Sequence, residues 1–442
     1  MRIFIGLGEV AGYYRQLSKG FRELGHQVVF IDLSGNHFQY QDGETSTWLE
    51  RLFRFVPDNI KIVHTENKLK RSFLSALQRV SKLFLLLYTV LLCDVVIFGF
   101  GSSLYRYYEM PLLKKFQKKL VYVFHGTDSR PHYLSGYANI QNAHLPIDEF
   151  LSLIRNQKRM IEWVDRYADV IINHPPQAYF HTRKFAQFLR IGIPFEIETS
   201  ANQISSMKTD LDQAIRILHA PSYPQAKGTD EIRRVIQNLK SKGHRIDFIE
   251  IIRMPHSEVL RELTECDFVI DELYSDTPMA TFVAEAATFG KPAVVGGYYS
   301  KYIRNDLSDE FIPPSLFCSP DELEQSVERL IVDQVFRLEL GSRAREYVAR
   351  EWNPKKVAER FLRLIENRIP QDWWYDPYQN SYLHGVGFPE EKIRASLRNT
   401  LERGGRGALQ LSDKPQLERK LVDFAYQSAP DLKNPQEFST GA

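Results

Sequence analysis

Cysteine is scarce. Only Cys93, Cys266 and Cys318 occur in 442 residues, far apart and never as a Cys-x-x-Cys pair, which excludes a disulfide framework and a cysteine-based zinc site and fits a reducing compartment. Net charge is scarce too: 57 Lys and Arg stand against 55 Asp and Glu, a formal +2. A dedicated nucleic-acid binder would carry a clear basic excess, so no nucleic-acid partner is expected. The opening residues, MRIFIGLGEV, enter a strand-like run and lack the charged region, apolar core and cleavage site of an export signal. Long apolar runs are nearly missing. The one exception, Leu83 to Phe100, is about 18 residues, close to the minimum for crossing hydrocarbon. Asp94 interrupts it. Leu83 to Leu92 therefore reads as the end of a buried helix and Val95 to Phe100 (VVIFGF) as a central strand, where β-branched residues and glycines take over.

Apolar residues at 43% and charged residues at 25% are globular values. The length exceeds what one core can organise, which predicts two domains of roughly 150 to 200 residues plus any extension. Ile3 to Gly6 reads as a short buried strand, after which Tyr14, Leu17, Phe21 and Leu24 recur at helical spacing until Gly25, and Val28 to Asp32 is the next strand. VVIFGF, Leu120 to Phe124 (LVYVF) and Asp169 to Asn173 (DVIIN) extend this unit toward an open parallel sheet, DVIIN closing the first domain. The second half repeats the alternation. Strands are expected at Ile215 to His219, Ile246 to Ile252, Phe268 to Asp271 and Ala293 to Val295. Helices are expected at Asp230 to Lys242, Ser257 to Glu265, Pro278 to Phe289 and within Asp321 to Asn367. A polar stretch near Phe195 to Asp212 marks the boundary, giving domains 1–200 and 201–368. Pro370 to Ala442, with WWYDPY and RGGRG, reads as an appended extension, 369–442.

Four constellations could carry chemistry. Gly6-Leu7-Gly8-Glu9-Val10-Ala11 fits G-x-G-x-x-G/A, with Asp32 at the end of the next strand; alone, this reads as the dinucleotide site of an NAD-dependent oxidoreductase. Phe124-His125-Gly126-Thr127-Asp128 leaves a strand directly, which puts His125 and Asp128 at the carboxyl edge of the sheet, where ligands of open α/β folds bind. His219-Ala220-Pro221-Ser222 through Lys227-Gly228-Thr229 leaves another strand, and Lys227 just before a helix can neutralise a diphosphate beside the free amides of that helix. Asp276-Thr277-Pro278 has the form of a helix start, Thr277 as N-cap and Pro278 at the first position. Glu285, in the apolar run VAEAATFGKP, needs a partner if buried; a ribose hydroxyl pair and a structural hydrogen bond both answer. Lys68, Lys70, Arg71, Arg79 and Lys82 accompany an apolar helix, and Lys114, Lys115, Lys118 and Lys119 form a second cluster. Basic groups beside apolar side chains suit an anionic membrane surface.

The text LHAPSYPQAKGTDEI and ECDFVIDELYSDTPMATFVAEAATFGKPAVV, with FHGTD in the first half, resembles the retaining GT-B glycosyltransferases of the family 4 type. The likeness is greatest to a bacterial branch with a His-Gly-Ser/Thr-Asp motif, and it spans roughly residues 1 to 368. The resemblance implies an α/β architecture of two Rossmann-like doubly wound domains facing a cleft. It implies transfer of a sugar from a nucleoside diphosphate sugar to a glycan or lipid-linked hydroxyl, with no cofactor and no metal. His125 and Lys227 would be catalytic. Gly8, Ser222, Lys227, Thr277, Pro278, Met279 and Glu285 would bind the donor, and Glu9 and Asp128 would lie on the acceptor side. Two positions depart from the family pattern: Thr277 stands where a glutamate is common and Ser222 where an arginine is common. The departures keep a non-catalytic nucleotide-sugar-binding homologue in view beside the oxidoreductase. The expected location is cytoplasmic, with peripheral attachment to the inner face of the membrane.

Overall fold

The computed structural model describes residues 1–34, 47–53, 55–196 and 214–427. A first sheet has seven strands among the described residues, in the order β12-β6-β5-β4-β3-β1-β2. These are β1 (Arg2–Leu7), β2 (Gln27–Asp32), β3 (Val95–Gly99), β4 (Lys119–Val123), β5 (Val170–Asn173), β6 (Phe185–Gln187) and β12 (Trp374–Tyr375). All pairings are parallel except that of β12 with β6. A second, wholly parallel sheet has the order β11-β10-β9-β7-β8, built from β7 (Ile215–His219), β8 (Ile246–Glu250), β9 (Phe268–Ile270), β10 (Ala293–Gly296) and β11 (Leu316–Cys318). Helices cover both faces, so the central strands are apolar on every side: all five residues of β3 are buried. That is why they read as continuous β-branched and aromatic runs rather than alternating ones.

Each sheet has one point where strand order reverses. In the first it lies between β1 and β3, in the second between β7 and β9. Open α/β sheets bind ligands in the crevice at the carboxyl ends of such neighbours. The proposed boundary at 200/201 falls outside the described residues.

Three expectations are corrected. DVIIN does not close the first domain, because β6 and β12 add further strands beyond β5. Residues 369 onward, read as an appendage, are woven into the first domain as far as they are described. Helix Pro354–Ile365 first crosses back onto helix Tyr13–Glu23, so closely that a Cβ on Gly20 would lie 2.0 Å from the Pro354 carbonyl oxygen. After β12, helices Glu390–Gly404 and Pro415–Tyr426 bury Ile393, Leu397, Leu421 and Phe424 in the same core as Ile154 and Ile161. Burial of this apolar surface holds the segment in place.

The third correction concerns Leu83 to Leu92. These residues do end a helix, Lys68–Leu92, started by the Asn67 side chain, which accepts the amides of Leu69 and Lys70. That helix is not buried. Only one narrow face, with Gln78, Leu85, Thr89 and Val90, meets the domain, while Leu83, Phe84, Leu87, Leu91 and Leu92 are exposed. Among the described residues it is the one helix long and apolar enough to cross a membrane by length and composition.

Candidate active site

The carboxyl ends of β1, β2 and β3 open into a cavity of about 710 Å³ lined by Gly8, Ser34, Gly101 and Ser102 from the strand ends and by Gln78, Arg79 and Lys82 from helix Lys68–Leu92. Arg106 completes the cationic part of its wall, and no Asp or Glu lines it among the described residues. Gly8 lies at the reversal point, where a Cβ would meet only Ser102 Cβ at an ordinary 3.9 Å. Ser102 Oγ donates to the Gly6 carbonyl at 3.1 Å and fixes the floor.

Glu9 does not face this cavity. Its Oε1 accepts the amides of Val10 (2.7 Å) and Tyr14 (3.1 Å), and its Oε2 that of Arg15 (3.0 Å), so the carboxylate caps its own helix, Tyr13–Glu23. The acceptor-side role expected for Glu9 is corrected on that ground. The same geometry counts against the dinucleotide reading, because a pyrophosphate would compete for the Tyr14 and Arg15 amides that Glu9 accepts. Asp32, the matching acid, accepts from Ser34 N–H (2.8 Å) and Oγ–H (2.5 Å) and holds its own loop.

His125 sits after β4 in an aromatic cage, with ring centroids of Tyr13 at 4.8 Å, Tyr14 at 5.4 Å and Phe188 at 5.7 Å. Its Nε2 shares a 2.9 Å hydrogen bond with the Tyr14 hydroxyl, and Gly99 is required beneath it, since a Cβ there would lie 1.8 Å from that hydroxyl. Burial, with His174 nearby, pushes the His125 pKa down to about 3, so the ring is neutral. Asp128 Oδ1 accepts the amides of His125 and Gly126, both at 3.0 Å, and Oδ2 is buried without a protein partner. Burial lifts this carboxyl to about 6.

The two sheet edges meet at a buried ion pair. Arg130, five residues beyond His125, pairs with Asp276 of the second domain, whose Oδ2 also accepts from Gln177 Nε2 at 3.0 Å. Burial alone would lift the Asp276 carboxyl, but Arg130 outweighs it and holds it below the ordinary range. Tyr137 adds a second tie, donating to Glu272 at 3.0 Å. The C-terminal segment crosses the same junction: Tyr179 of the first domain donates to the Tyr382 carbonyl at 2.6 Å, and His384 stacks on Tyr298 of the second at 4.6 Å.

On the donor side, the expectations meet mixed surroundings. Lys227 is not a free cation: its Nζ lies 3.0 Å from Asp271 and 3.1 Å from Glu272. Burial opposes the ammonium, yet the two carboxylates outweigh it and hold its pKa well above the usual lysine value. The charge meant for a diphosphate is thus compensated by acids at the end of β9. Ser222 is exposed and Thr277 partly so, while the Met279 side chain is fully buried in the core. Thr277 and Pro278 do not begin the helix. Thr277 N–H is taken by Ser275 Oγ at 3.2 Å, and the helix runs Thr281–Thr288 with Ala280 at its N-cap and no side chain capping it. Glu285, one turn further on, is buried and hydrogen-bonds His256 at 2.8 Å; His256 starts the helix that follows β8. Asp210 and Asp212, spaced as an Asp-x-Asp motif, lie outside the described residues, and no cluster that could hold a metal occurs among the described ones.

No protein-family model matches the sequence, and no curated protein does. Solved structures do. The crystal structure of TarM is similar over 82% of this chain and 98% of its own, with 11% identity and a TM-score of 0.52. The chain has the GT-B fold. Anabaena HepE in complex with UDP-glucose (14% identity, 83% of this chain, 99% of that one, TM-score 0.45) and the catalytic domain of starch synthase IV from Arabidopsis thaliana bound to ADP and acarbose (11%, 83%, 99%, 0.48) are more distant likenesses.

Within this GT-B frame, the residues that sequence reasoning missed are those that tie the edges together. Arg130 stood two positions after Asp128 in the same motif, an arginine inside an otherwise buried loop. His256, Tyr137 and Glu272 gave no local signal, because each acquires its role from a residue at least 29 positions away.

Proposed function

We propose that this protein is a glycosyltransferase. It moves a sugar from a nucleoside diphosphate sugar to a hydroxyl of a glycan or lipid-linked acceptor, with retention of anomeric configuration, on the cytoplasmic side of a membrane and without a cofactor or metal. The observation that carries this reading is the pairing of two sheet edges across a junction centred on the buried Arg130–Asp276 ion pair. The neutral His125 and the cavity beside Gly8 belong to the first edge, and an uncapped helix start with Glu285 one turn inside belongs to the second. An anion at an uncapped helix start meets free N–H groups and the positive end of the dipole. Glu285, sharing His256, is the acceptor for ribose hydroxyls, and Ser222 and Thr277 line the donor side. The departing diphosphate is stabilised by preorganised amides rather than by a protein nucleophile. His125 lies on the sugar side of the cleft.

One observation favours a second reading. The compensation of Lys227 by Asp271 and Glu272 suits a homologue that binds a nucleotide sugar without turning it over. Incubation with UDP-, GDP- and ADP-sugars, with release of the nucleoside diphosphate followed by chromatography and anomeric configuration by NMR, separates the two. Transfer predicts release from one donor with configuration kept. Binding without release supports the second reading, and inversion removes the retaining mechanism.

A further inference from the structure

Helix Lys68–Leu92 presents an apolar stripe that the fold leaves uncovered. Leu69, Phe73, Leu77, Val80, Phe84, Leu87 and Leu91 recur at intervals of three and four, so they share one face, and all are exposed, Leu69 at 83% and Leu91 at 72%. The stripe runs for about 33 Å at the rise of an α-helix. The buried contacts of Gln78, Leu85 and Thr89 lie on the opposite side, and Gln78 Nε2 is tied to the Pro57 carbonyl and to Asn59, each at 3.0 Å. The helix carries five Lys or Arg and no Asp or Glu. Three of these, Lys68, Lys70 and Arg71, cluster at its start. Arg79 and Lys82 reach round to line the cavity beside Gly8.

We propose that this face is a docking surface for an anionic lipid bilayer, on which the helix lies flat with its stripe among the acyl chains and the cations at its start, Lys68, Lys70 and Arg71, among the headgroups. Charge decides the occupant. A second copy of this helix would bring no acid to meet the exposed Lys68, Lys70 and Arg71 at its start, whereas an anionic leaflet attracts them, at about 1 kcal/mol for each Lys or Arg near the surface. A membrane span would have to pull Gln78 and Thr89 out of the protein, which the ties to Pro57 and Asn59 oppose. In the docked orientation the cavity shares a wall with the membrane-facing helix, so an amphiphilic acceptor can enter it without leaving the interface. The docking surface itself stands apart from sugar transfer and is read without any donor.

The test uses the full chain, sedimented with vesicles of phosphatidylcholine alone or with added phosphatidylglycerol. The anionic vesicles should bind at least tenfold more protein at low salt, and most should be released at about 0.5 M salt. Phe73→Glu with Leu87→Glu, and separately Lys68→Glu with Arg71→Glu, should each abolish the preference while leaving the circular-dichroism melt unchanged, all four positions being exposed. Equal binding to both vesicles overturns the proposal. So does retention after an alkaline carbonate wash, which marks a span, or a dimer in sedimentation velocity that Phe73→Glu with Leu87→Glu dissociates, which marks an interface between copies.

Discussion

The carboxyl edges of the two sheets handle charge in opposite ways. At the first, Arg79, Lys82 and Arg106 line an open cavity with no Asp or Glu among its described lining residues, and Glu109, outside that lining, acts on Lys82. At the second, Lys227 is held between Asp271 and Glu272, and the trio carries no surplus positive charge. Cations left without partners cost solvation only if they are buried: Arg79 and Arg106 are exposed, half-buried Lys82 has its pKa lowered by lost solvation, and Lys227 is largely buried and needs its carboxylates to remain charged. The difference teaches that a basic residue in a family-like position does not by itself make an anion site. The first edge keeps positive charge available, and the second offers the start of helix Thr281–Thr288, which no side chain caps, with Glu285 one turn inside.

The largest effect that would break this contrast comes from Lys227→Ala. Removing the cation leaves Asp271 and Glu272 buried beside one another, so folding stability should fall by about 3 to 5 kcal/mol, read as a lower midpoint in urea denaturation. A variant that melts like wild type and loses only turnover would restore Lys227 as a free diphosphate ligand. Next comes Glu285→Gln, which keeps the shape but loses the charged acceptor; nucleotide affinity should weaken by about 1.5 to 3 kcal/mol, with stability little changed, as calorimetric titration beside a thermal melt would record.

A smaller effect tests the helix cap at the first edge. Burial outweighs the three amides at Glu9 and lifts its pKa to about 7 from 4.5. A carboxyl with a raised folded pKa binds its proton more tightly when folded, so stability is greatest below about pH 4.5 and declines as pH rises to about 7. Glu9→Gln should flatten that decline in denaturation curves taken across the window; an unchanged slope would mean another group titrates there. Smallest of all, Arg106→Ala should leave stability within about 0.5 kcal/mol, because no buried partner is abandoned. A loss of several kcal/mol would show that the first edge is compensated like the second.

Much of the fold was legible because buried parallel strands announce themselves. VVIFGF, LVYVF and DVIIN each became a strand within a residue or two of the expected ends. Short edge strands gave no such signal: β11 is three residues, Leu316–Cys318, and β12 only two. The C-terminal segment looked detachable because its apolar residues match a surface formed more than 200 positions earlier, as the hydrogen bond from Tyr179 to Tyr382 illustrates. Turn chemistry misled at Thr277-Pro278, where the Ser275 hydroxyl captures Thr277 N–H and delays the helix to Thr281. His125, Asp128 and the loop at Gly8 were placed at the sheet edge from the sequence alone, since each follows a strand directly. Glu9 and Lys227 were found as charged residues in the right loops, but the partners that consume their charge are set by packing, which local sequence does not carry.

The measurement that tests the account most directly is calorimetric titration of UDP, GDP, ADP and NAD into the wild-type protein and Glu285→Gln. The account predicts that one of the nucleoside diphosphates binds, that Glu285→Gln weakens it by about tenfold or more, and that NAD does not bind. Tight NAD binding, or a nucleoside diphosphate bound equally by both proteins, would contradict the donor site proposed at the edge of the second sheet.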